Sequence, residues 1–423
     1  MTNQTDDEAA SRTTLLDRRS ALTGLSGACI ALTMSGCQWF ERATAPGPEP
    51  NTPGTPAPRP KAPTWVREAS AALERGVGWL AGAQSTGGLY QSQTYGYLKG
   101  GQSLTPFVLN ALLDARDEGV AVPPDTIGRA LVGVLGLIDE RGRIGFGGVA
   151  ADYPVYATSL ALSCLGRLRP EGWSTAAAPL VSWLRSQQFT GIRGWRAHTA
   201  LGGFPMGWRT PPKPPHAGHV DLSMTRRALE GLRSVGVEAG DPTFRLAFRF
   251  VMRSRGADGG FVYSPVDPQL NKGRRHGEGF LSYGSATCDG LLALRAVSPG
   301  DIAEPPPEQR PETARRALAA LHAMHRTDVN PGLSGGPMES FGTAMRGYYR
   351  ATSSRVFHTF GGPEGWQQAM VEAVCSEQRE DGRWQNESNL QKEDDPMVAT
   401  ALAVRALSQS LGSDHASSAM PTE

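Results

Sequence analysis

The stretch TRRALEGL, residues 225–232, decides the fold because its pattern returns throughout the chain. Leu229 and Leu232 follow Thr225 after four and seven residues, a spacing that places apolar side chains on one face of a helix. The same pattern follows four more threonines: Thr105, Thr158, Thr287 and Thr400. With Thr343, six threonines stand 53 to 67 residues apart, so the sequence predicts an array of one supersecondary unit.

Each unit carries a second amphipathic stretch and a glycine-rich turn ahead of its threonine. The turns read GGLY (87–90), GFGG (145–148), GGF (202–204), DGGF (258–261), LSGG (333–336) and DGRW (381–384). One helix pair cannot bury its apolar face alone, so neighbouring pairs must stack. We expect an all-α domain of about twelve helices over residues 65–410. The fifth unit is the least regular, because Gly347 and Arg350 interrupt its leucine pattern.

An array of six such units either stays open as a solenoid or closes into a ring. The chain shows no obvious polar capping repeat, which favours closure. We therefore predict a six-fold α/α toroid, with the threonine helices in an inner ring and the remaining helices in an outer ring around it.

The stretch QREDGRW (378–384) resembles the glutamine–tryptophan repeat of squalene–hopene cyclases and protein prenyltransferase β-subunits, through Gln378, Asp381, Gly382 and Trp384. Other stretches resemble a group of bacterial envelope proteins with prenyltransferase and squalene-oxidase repeats: DLSMTRRALEGL (221–232), DGGFVYSP (258–265) and YGSATCDGLLAL (283–294). The resemblance implies an α/α toroid. We expect Trp384 to pack between adjacent repeats and Gln378 to tie backbone groups of the turn.

The N-terminus carries the pattern of an export signal. Arg18 and Arg19 precede a modestly apolar stretch over residues 21–34, whose last residue begins the string MSGC that ends at Cys37. This resembles a twin-arginine signal joined to a lipoprotein lipobox, and implies that residues 1–37 are a signal whose Cys37 becomes acylated. The stretch is too short for a transmembrane helix. A poorly ordered tail with a chance arginine pair is the alternative.

Composition separates a tether and a tail from the repeat domain. Residues 38–64 are rich in proline, typical of a disordered, extended spacer, and residues 411–423 are expected to form a disordered tail. The formal net charge is +1, so nothing indicates nucleic acid as a partner. The cysteines beyond the leader show no disulfide spacing and are interpreted as buried small side chains: Cys164, Cys288 and Cys375.

Cyclase chemistry needs a strong, pre-positioned acid, which squalene cyclases supply with an Asp-x-Asp-Asp motif. The nearest string in this chain is KEDD (392–395), with Lys392 in place of the first aspartate. Asp394 is a candidate acid, although charge at a helix N-terminus explains Asp394 and Asp395 more simply. The lack of an Asp-x-Asp-Asp motif therefore argues against cyclase activity.

A zinc site of the prenyltransferase type needs Asp, Cys and His ligands, and its zinc lowers the pKa of the substrate thiol. The family's Asp-x-Cys spacing is missing, since Cys288 and Asp289 are adjacent and their side chains diverge on a helix. The string HAGHVD offers His216 and His219 beside Asp221, but Asp221 stands where a helix cap belongs. We predict no metal and no cofactor, with this histidine pair as the weak metal candidate.

A glycan-cleaving toroid would need two carboxylates across a cleft, about 5 to 9.5 Å apart. Four aspartates near the starts of inner helices could ring one mouth of the barrel: Asp152, Asp221, Asp289 and Asp394. Aromatic residues there could stack on a sugar or line an apolar cavity: Tyr156, Trp195, Trp208, Tyr263, Tyr283, Phe341, Tyr348 and Tyr349. From this set we select four ligand-cavity candidates: Tyr156, Tyr283, Phe341 and Tyr348.

The sequence leads to an exported, lipid-anchored toroid of the cell envelope, periplasmic or at the outer membrane, that binds a small hydrophobic ligand, a glycan or a partner in its central mouth. No catalytic set emerges from the motifs, so we lean against an enzyme and keep Asp221, Asp289 and Asp394 as weak catalytic candidates. Two alternatives stay open: an isoprenoid cyclase or transferase with a non-standard site, and a glycan-binding or glycan-cleaving toroid. Carboxylates with strongly shifted pKa values at the cavity floor would favour an enzyme.

Overall fold

In the computed structural model of the protein, the described residues are 62–144, 153–207, 212–298, 300, 306–336 and 338–412. The predicted signal, with Arg18, Arg19 and Cys37, lies outside them, as do the tether up to residue 61 and the tail from residue 413. Among the helices of the described residues, none is long and apolar enough to cross a membrane.

Thirteen α-helices make up most of the described residues. They are α1 (Thr64–Gly82), α2 (Leu104–Asp117), α3 (Pro124–Gly136), α4 (Pro154–Leu168), α5 (Trp173–Gln187), α6 (Leu222–Ser234), α7 (Pro242–Arg253), α8 (Gly284–Val297), α9 (Glu312–Met324), α10 (Ser340–Ala344), α11 (Arg346–Phe360), α12 (Trp366–Cys375) and α13 (Pro396–Leu411). A two-stranded antiparallel hairpin, β1 (Arg275–His276) and β2 (Gly279–Phe280), lies between α7 and α8. The first of these helices begins at Thr64 and the last ends at Leu411.

Six helices form a closed inner ring: α2, α4, α6, α8, α11 and α13. Each contacts the next in this order, and α13 contacts α2. They are buried on nearly every side, as in α2, where every residue from Leu104 to Ala115 is buried. The outer helices α1, α3, α5, α7, α9 and α12 pack against this ring through one apolar face each. The predicted all-α toroid of two concentric rings is confirmed.

The threonines of the repeat hold the glycine turns against the inner helices. The Thr225 hydroxyl accepts a hydrogen bond from the backbone N–H of Phe204 at 3.1 Å, and Thr400 accepts one from Trp384 at 3.0 Å. Three further pairs make the same contact: Tyr90 with Thr105, Ile144 with Thr158, and Phe261 with Thr287. Each hydroxyl therefore satisfies a buried donor that the tight turn leaves without a backbone partner.

The fifth repeat departs from this plan. Thr343 lies in the short helix α10, and the inner helix α11 begins after it at Arg346, so Thr343 does not lie in an inner helix as the repeat pattern suggests. A carboxylate from another repeat caps α11: Glu393 accepts hydrogen bonds from the backbone N–H groups of Gly347 and Tyr348, both at 2.8 Å. A Cβ at position 347 would lie 2.9 Å from Glu393 Oε2, which explains the glycine that interrupts the leucine pattern.

The last repeat closes the ring against the first helix. Gln378 donates hydrogen bonds to the carbonyl of Ala72 in α1 at 2.9 Å and to that of Gly382 in its own turn at 2.8 Å. The side chain of Trp384 is buried, and its Nε1 donates to a backbone carbonyl of α12 at 2.8 Å. Its ring lies against Gly76 of α1, where an added Cβ would come within 2.8 Å. This turn therefore joins the two ends of the repeat array.

Candidate functional site

A cavity of about 480 Å³ opens at the mouth of the ring where the inner helices begin. Its apolar wall consists of Leu98, Leu104, Phe107, Met206, Met224, Leu270, Met345, Val398 and Leu402. Four tyrosines share that wall: Tyr153, Tyr156, Tyr263 and Tyr348. The polar lining is Ser103, His219, Ser223, Lys272, Gln391, Lys392 and Glu393. The cavity is thus an apolar space with a small number of polar groups, the usual make-up of a small-molecule site.

A second hollow of about 510 Å³ lies outside the ring, between α7, the hairpin and α9. Arg253, Arg255 and Arg316 are exposed at its edge, and glycine and proline form much of its wall. Its volume is slightly larger than the 480 Å³ of the central cavity, but it lacks the enclosing apolar side chains that hold a ligand. We therefore place the candidate site in the central cavity.

Tyr348 connects the central cavity to buried charges behind its wall. Its hydroxyl lies 2.9 Å from the Ser223 hydroxyl, donates to Asp289 at 2.9 Å, and accepts from Arg226 at 3.1 Å. Burial raises the pKa of Tyr348 well above its ordinary value, so the hydroxyl remains a proton donor across the physiological range. Tyr348 and Tyr156 are the two selected ligand-cavity candidates that the structure brings into one wall.

Asp289 lies behind this wall and is 1% exposed. Its Oδ1 lies 2.8 Å from Nε of Arg226, yet burial raises the pKa of Asp289 to about 6 against the opposing charges of Arg226 and Arg227. The Tyr348 hydroxyl stands between this carboxyl group and the cavity. Asp289 is therefore placed to influence a ligand through Tyr348 rather than by direct contact.

A column of ion pairs continues from Asp289 along the inside of the ring. Glu230 lies within 3.4 Å of Arg226, Arg227 and Arg355. Burial opposes ionisation of Glu230, but the arginines around it lower its pKa to about 2, so it stays charged. The column ends in the pairs that Asp114 makes with Arg167 and Arg405. Charged side chains thus fill the ring behind the cavity.

Asp221 and His219 form a pair at the cavity rim. Asp221 is fully buried and caps α6, accepting from the Met224 N–H at 2.7 Å, while its second oxygen lies 2.9 Å from Nε2 of His219. His219 lines the cavity and its side chain is 33% exposed, whereas His216 is exposed on the preceding loop. Within the described ranges no group of three or more His, Cys, Asp or Glu side chains is placed to hold a metal ion. Cys164, Cys288 and Cys375 are free thiols.

The KEDD string before α13 supplies four separate contacts. Lys392 donates to the Tyr153 hydroxyl and lies over its ring, while Glu393 caps the neighbouring inner helix α11. Asp394 accepts a hydrogen bond from the Tyr95 hydroxyl, and Asp395 caps α13 through the backbone N–H of residues 397 and 398. Asp394 does not belong to the cavity lining. The position of Asp394 therefore gives no support to a cyclase-type acid.

Several predicted aromatic residues lie away from the lining. Tyr283, Trp195 and Tyr349 are fully buried in the core, and Phe341 is half-buried beside Tyr263. Asp152 and Trp208 lie outside the described residues. Most lining residues were not selected from the sequence as site residues, among them Tyr153, Lys272 and Glu393. Of these three, only Glu393 belongs to a motif that the sequence analysis considered, the string KEDD. Its carboxyl group in a string similar to Asp-x-Asp-Asp is the one sequence feature that could have identified it.

Comparison with solved structures places this architecture in a known class. A variant of the type II terpene cyclase MstE from Scytonema, in complex with geranylgeranyl dihydroxybenzoate, matches with a TM-score of 0.51 and 13% identity over 82% of this chain and 98% of the cyclase. An inactive variant of the α-1,6-mannanase GH76A of Salegentibacter sp., in complex with α-1,6-mannotetrose, matches with a TM-score of 0.51 and 11% identity over 82% and 99% of the two chains. No family model and no curated protein matches the sequence. The chain has the α/α-toroid fold that these two proteins share.

Proposed function

We propose that this protein binds a small, mostly apolar ligand of the isoprenoid type in its central cavity. The observation that supports this best is the wall itself, in which leucine, methionine and tyrosine side chains enclose about 480 Å³. Glu393 is the sole carboxylate in the described part of that wall. A glycan-cleaving site would need two available carboxylates, so the wall suits a hydrocarbon better than a sugar.

An enzyme acting on the same kind of ligand is the second candidate, and Glu393 is the observation that favours it. Burial raises the pKa of this carboxyl to about 7, a value suited to a general acid at neutral pH. Incubation of the full chain with C15 to C30 isoprenoids would then yield a converted product, and Glu393→Gln would abolish the conversion. Equal conversion by Glu393→Gln and wild type would exclude Glu393 as the acid.

We further propose that the protein is exported and held at a membrane by acylated Cys37. The supporting observation is the sequence pattern of Arg18, Arg19 and the MSGC string, followed by the proline-rich stretch. Such an anchor would keep an apolar cavity close to a membrane, where isoprenoid compounds are concentrated.

Mass spectrometry of material that co-purifies with the full chain tests the binding proposal. We expect an apolar compound with wild type and its loss from Met224→Trp, because the indole would fill the cavity that Met224 lines. Val132→Trp, at an exposed position on α3, is the matched control and should retain the compound. Equal amounts of the co-purifying compound in Met224→Trp and Val132→Trp would overturn the proposal. Failure of wild type to bind any added isoprenoid would also overturn it.

A further inference from the structure

Lys272 occupies an unusual position for a lysine at the rim of the central cavity. It is half-buried, lines the cavity, and its Nζ lies 5.0 Å from the ring centroid of Tyr263 and 5.3 Å from that of Phe341. Two aromatic faces thus hold the ammonium group at the opening by cation–π attraction. A lysine that serves solubility alone would extend into water instead.

The loop that carries Lys272 is fixed by its neighbours. Asn271 accepts from the Ser264 N–H at 2.9 Å and donates back to the Ser264 carbonyl at 2.7 Å. The Ser264 hydroxyl in turn donates to the Val220 carbonyl at 2.6 Å, next to the start of α6. The backbone next to Lys272 is therefore held by hydrogen bonds, and the two aromatic rings are what position its ammonium group.

The charge of Lys272 lacks an ion-pair partner among the described residues. Burial lowers the pKa of Lys272 and the charge of Asp221 raises it, but Asp221 is committed to His219 and to the cap of α6. Lys392, the other lysine of the lining, is engaged with Tyr153. Partial burial of a cation beside an apolar cavity costs free energy unless an anion pairs with it.

We propose that Lys272 binds the anionic head group, a carboxylate or a phosphate, of a ligand whose apolar body fills the central cavity. This inference rests on the proposed binding function and adds the chemical class of the head group. The apolar wall takes the hydrocarbon, and the ammonium at the rim supplies the charge-assisted hydrogen bond that fixes its orientation.

Binding of matched ligand pairs to the full chain tests the head group. The pairs are palmitate with hexadecanol, and farnesyl phosphate with farnesol, measured by calorimetry at pH 7. Wild type should bind the anionic member of one pair about tenfold more tightly than the alcohol of that pair. A preference for palmitate would identify the head group as a carboxylate, and a preference for farnesyl phosphate would identify it as a phosphate. Lys272→Met should lose that preference while retaining the affinity for the alcohol, and Lys272→Arg should largely keep it.

Arg275→Met is the matched control, because Arg275 also lies over an aromatic ring, that of Phe280, but outside the cavity lining. It should leave the preference unchanged. Equal binding of both members of each pair by wild type, or equal loss of alcohol and anion in Lys272→Met, would overturn this inference and leave the binding function standing. If wild type binds no member of either pair, the proposed function itself fails.

Discussion

The carboxylate of Glu393 caps a helix that belongs to another repeat. It accepts the backbone N–H of Tyr348 at 2.8 Å, although 45 residues separate the two positions. Tyr348 lines the cavity, and its hydroxyl also donates a hydrogen bond to the buried Asp289. The cap therefore holds in place the first turn of α11, which carries this connection between the cavity and Asp289. One buried carboxyl group thus couples helix α11, the cavity and the start of α13.

The buried state of Glu393 predicts a specific pH dependence of stability. Burial raises its pKa from 4.5 to about 7, so the folded chain holds this proton more tightly than the unfolded chain. The stabilisation is therefore complete below pH 4.5 and is lost as the pH rises through 7. In urea unfolding between pH 4.5 and 8, wild type should lose on the order of 3 kcal/mol relative to Glu393→Gln. Glu387→Gln, at an exposed neighbouring position, is the control, and its unfolding free energy should change with pH as that of wild type does. The same pH dependence in wild type and Glu393→Gln would refute the raised pKa of Glu393.

The threonine contacts predict a difference between two substitutions of equal shape. Thr225→Val leaves the buried N–H of Phe204 without an acceptor, so it should cost about 1 to 3 kcal/mol of unfolding free energy. Thr343→Val serves as the control, because Thr343 makes no such turn contact in the described structure. Thr225→Ser should recover most of the loss. A similar effect of both valine substitutions on chemical denaturation would show that the hydroxyl is not the stabilising group.

Trp384 should be among the most sensitive positions in the ring. Its indole is 4% exposed and fills the space between α12, α13 and Gly76 of α1, so Trp384→Ala should cost about 3 to 5 kcal/mol. Trp384→Phe keeps part of the ring volume and loses the Nε1 hydrogen bond to Val374, so its melting temperature should fall less. An unchanged melting temperature for Trp384→Ala would point to a ligand-stacking role instead.

The anchor prediction concerns the chain before the described domain. Cys37→Ser should move the protein from the membrane fraction to the soluble fraction without changing the melting temperature of the domain. Replacing Arg18 and Arg19 with lysine should leave unprocessed precursor in the cytoplasm. Fractionation with antibody detection distinguishes these outcomes, and equal membrane association of wild type and Cys37→Ser would exclude the lipid anchor.

The fold was predictable from the sequence because each repeat meets the same physical requirement. Thr225 and Thr400 must accept a turn N–H, and leucines must face the neighbouring helix, so the pattern repeats with the unit. The cavity was not predictable in the same way, because its key residues come from irregular loops. Lys272 and Glu393 follow no period, and long-range folding alone brings them to the mouth where Tyr348 lies.

In the closed ring, the first helix packs against the last two helices. Helix α1 contacts α12 and α13, and Gln378 bonds to Ala72 although the two residues are 306 positions apart in the sequence. The order of the six repeats along the polypeptide is therefore not what defines the ring. A circular permutant opened between α8 and α9, with a linker joining residue 411 to residue 64, would keep all the helix contacts of the native domain, whereas the same cut in an open solenoid would leave two new ends uncovered.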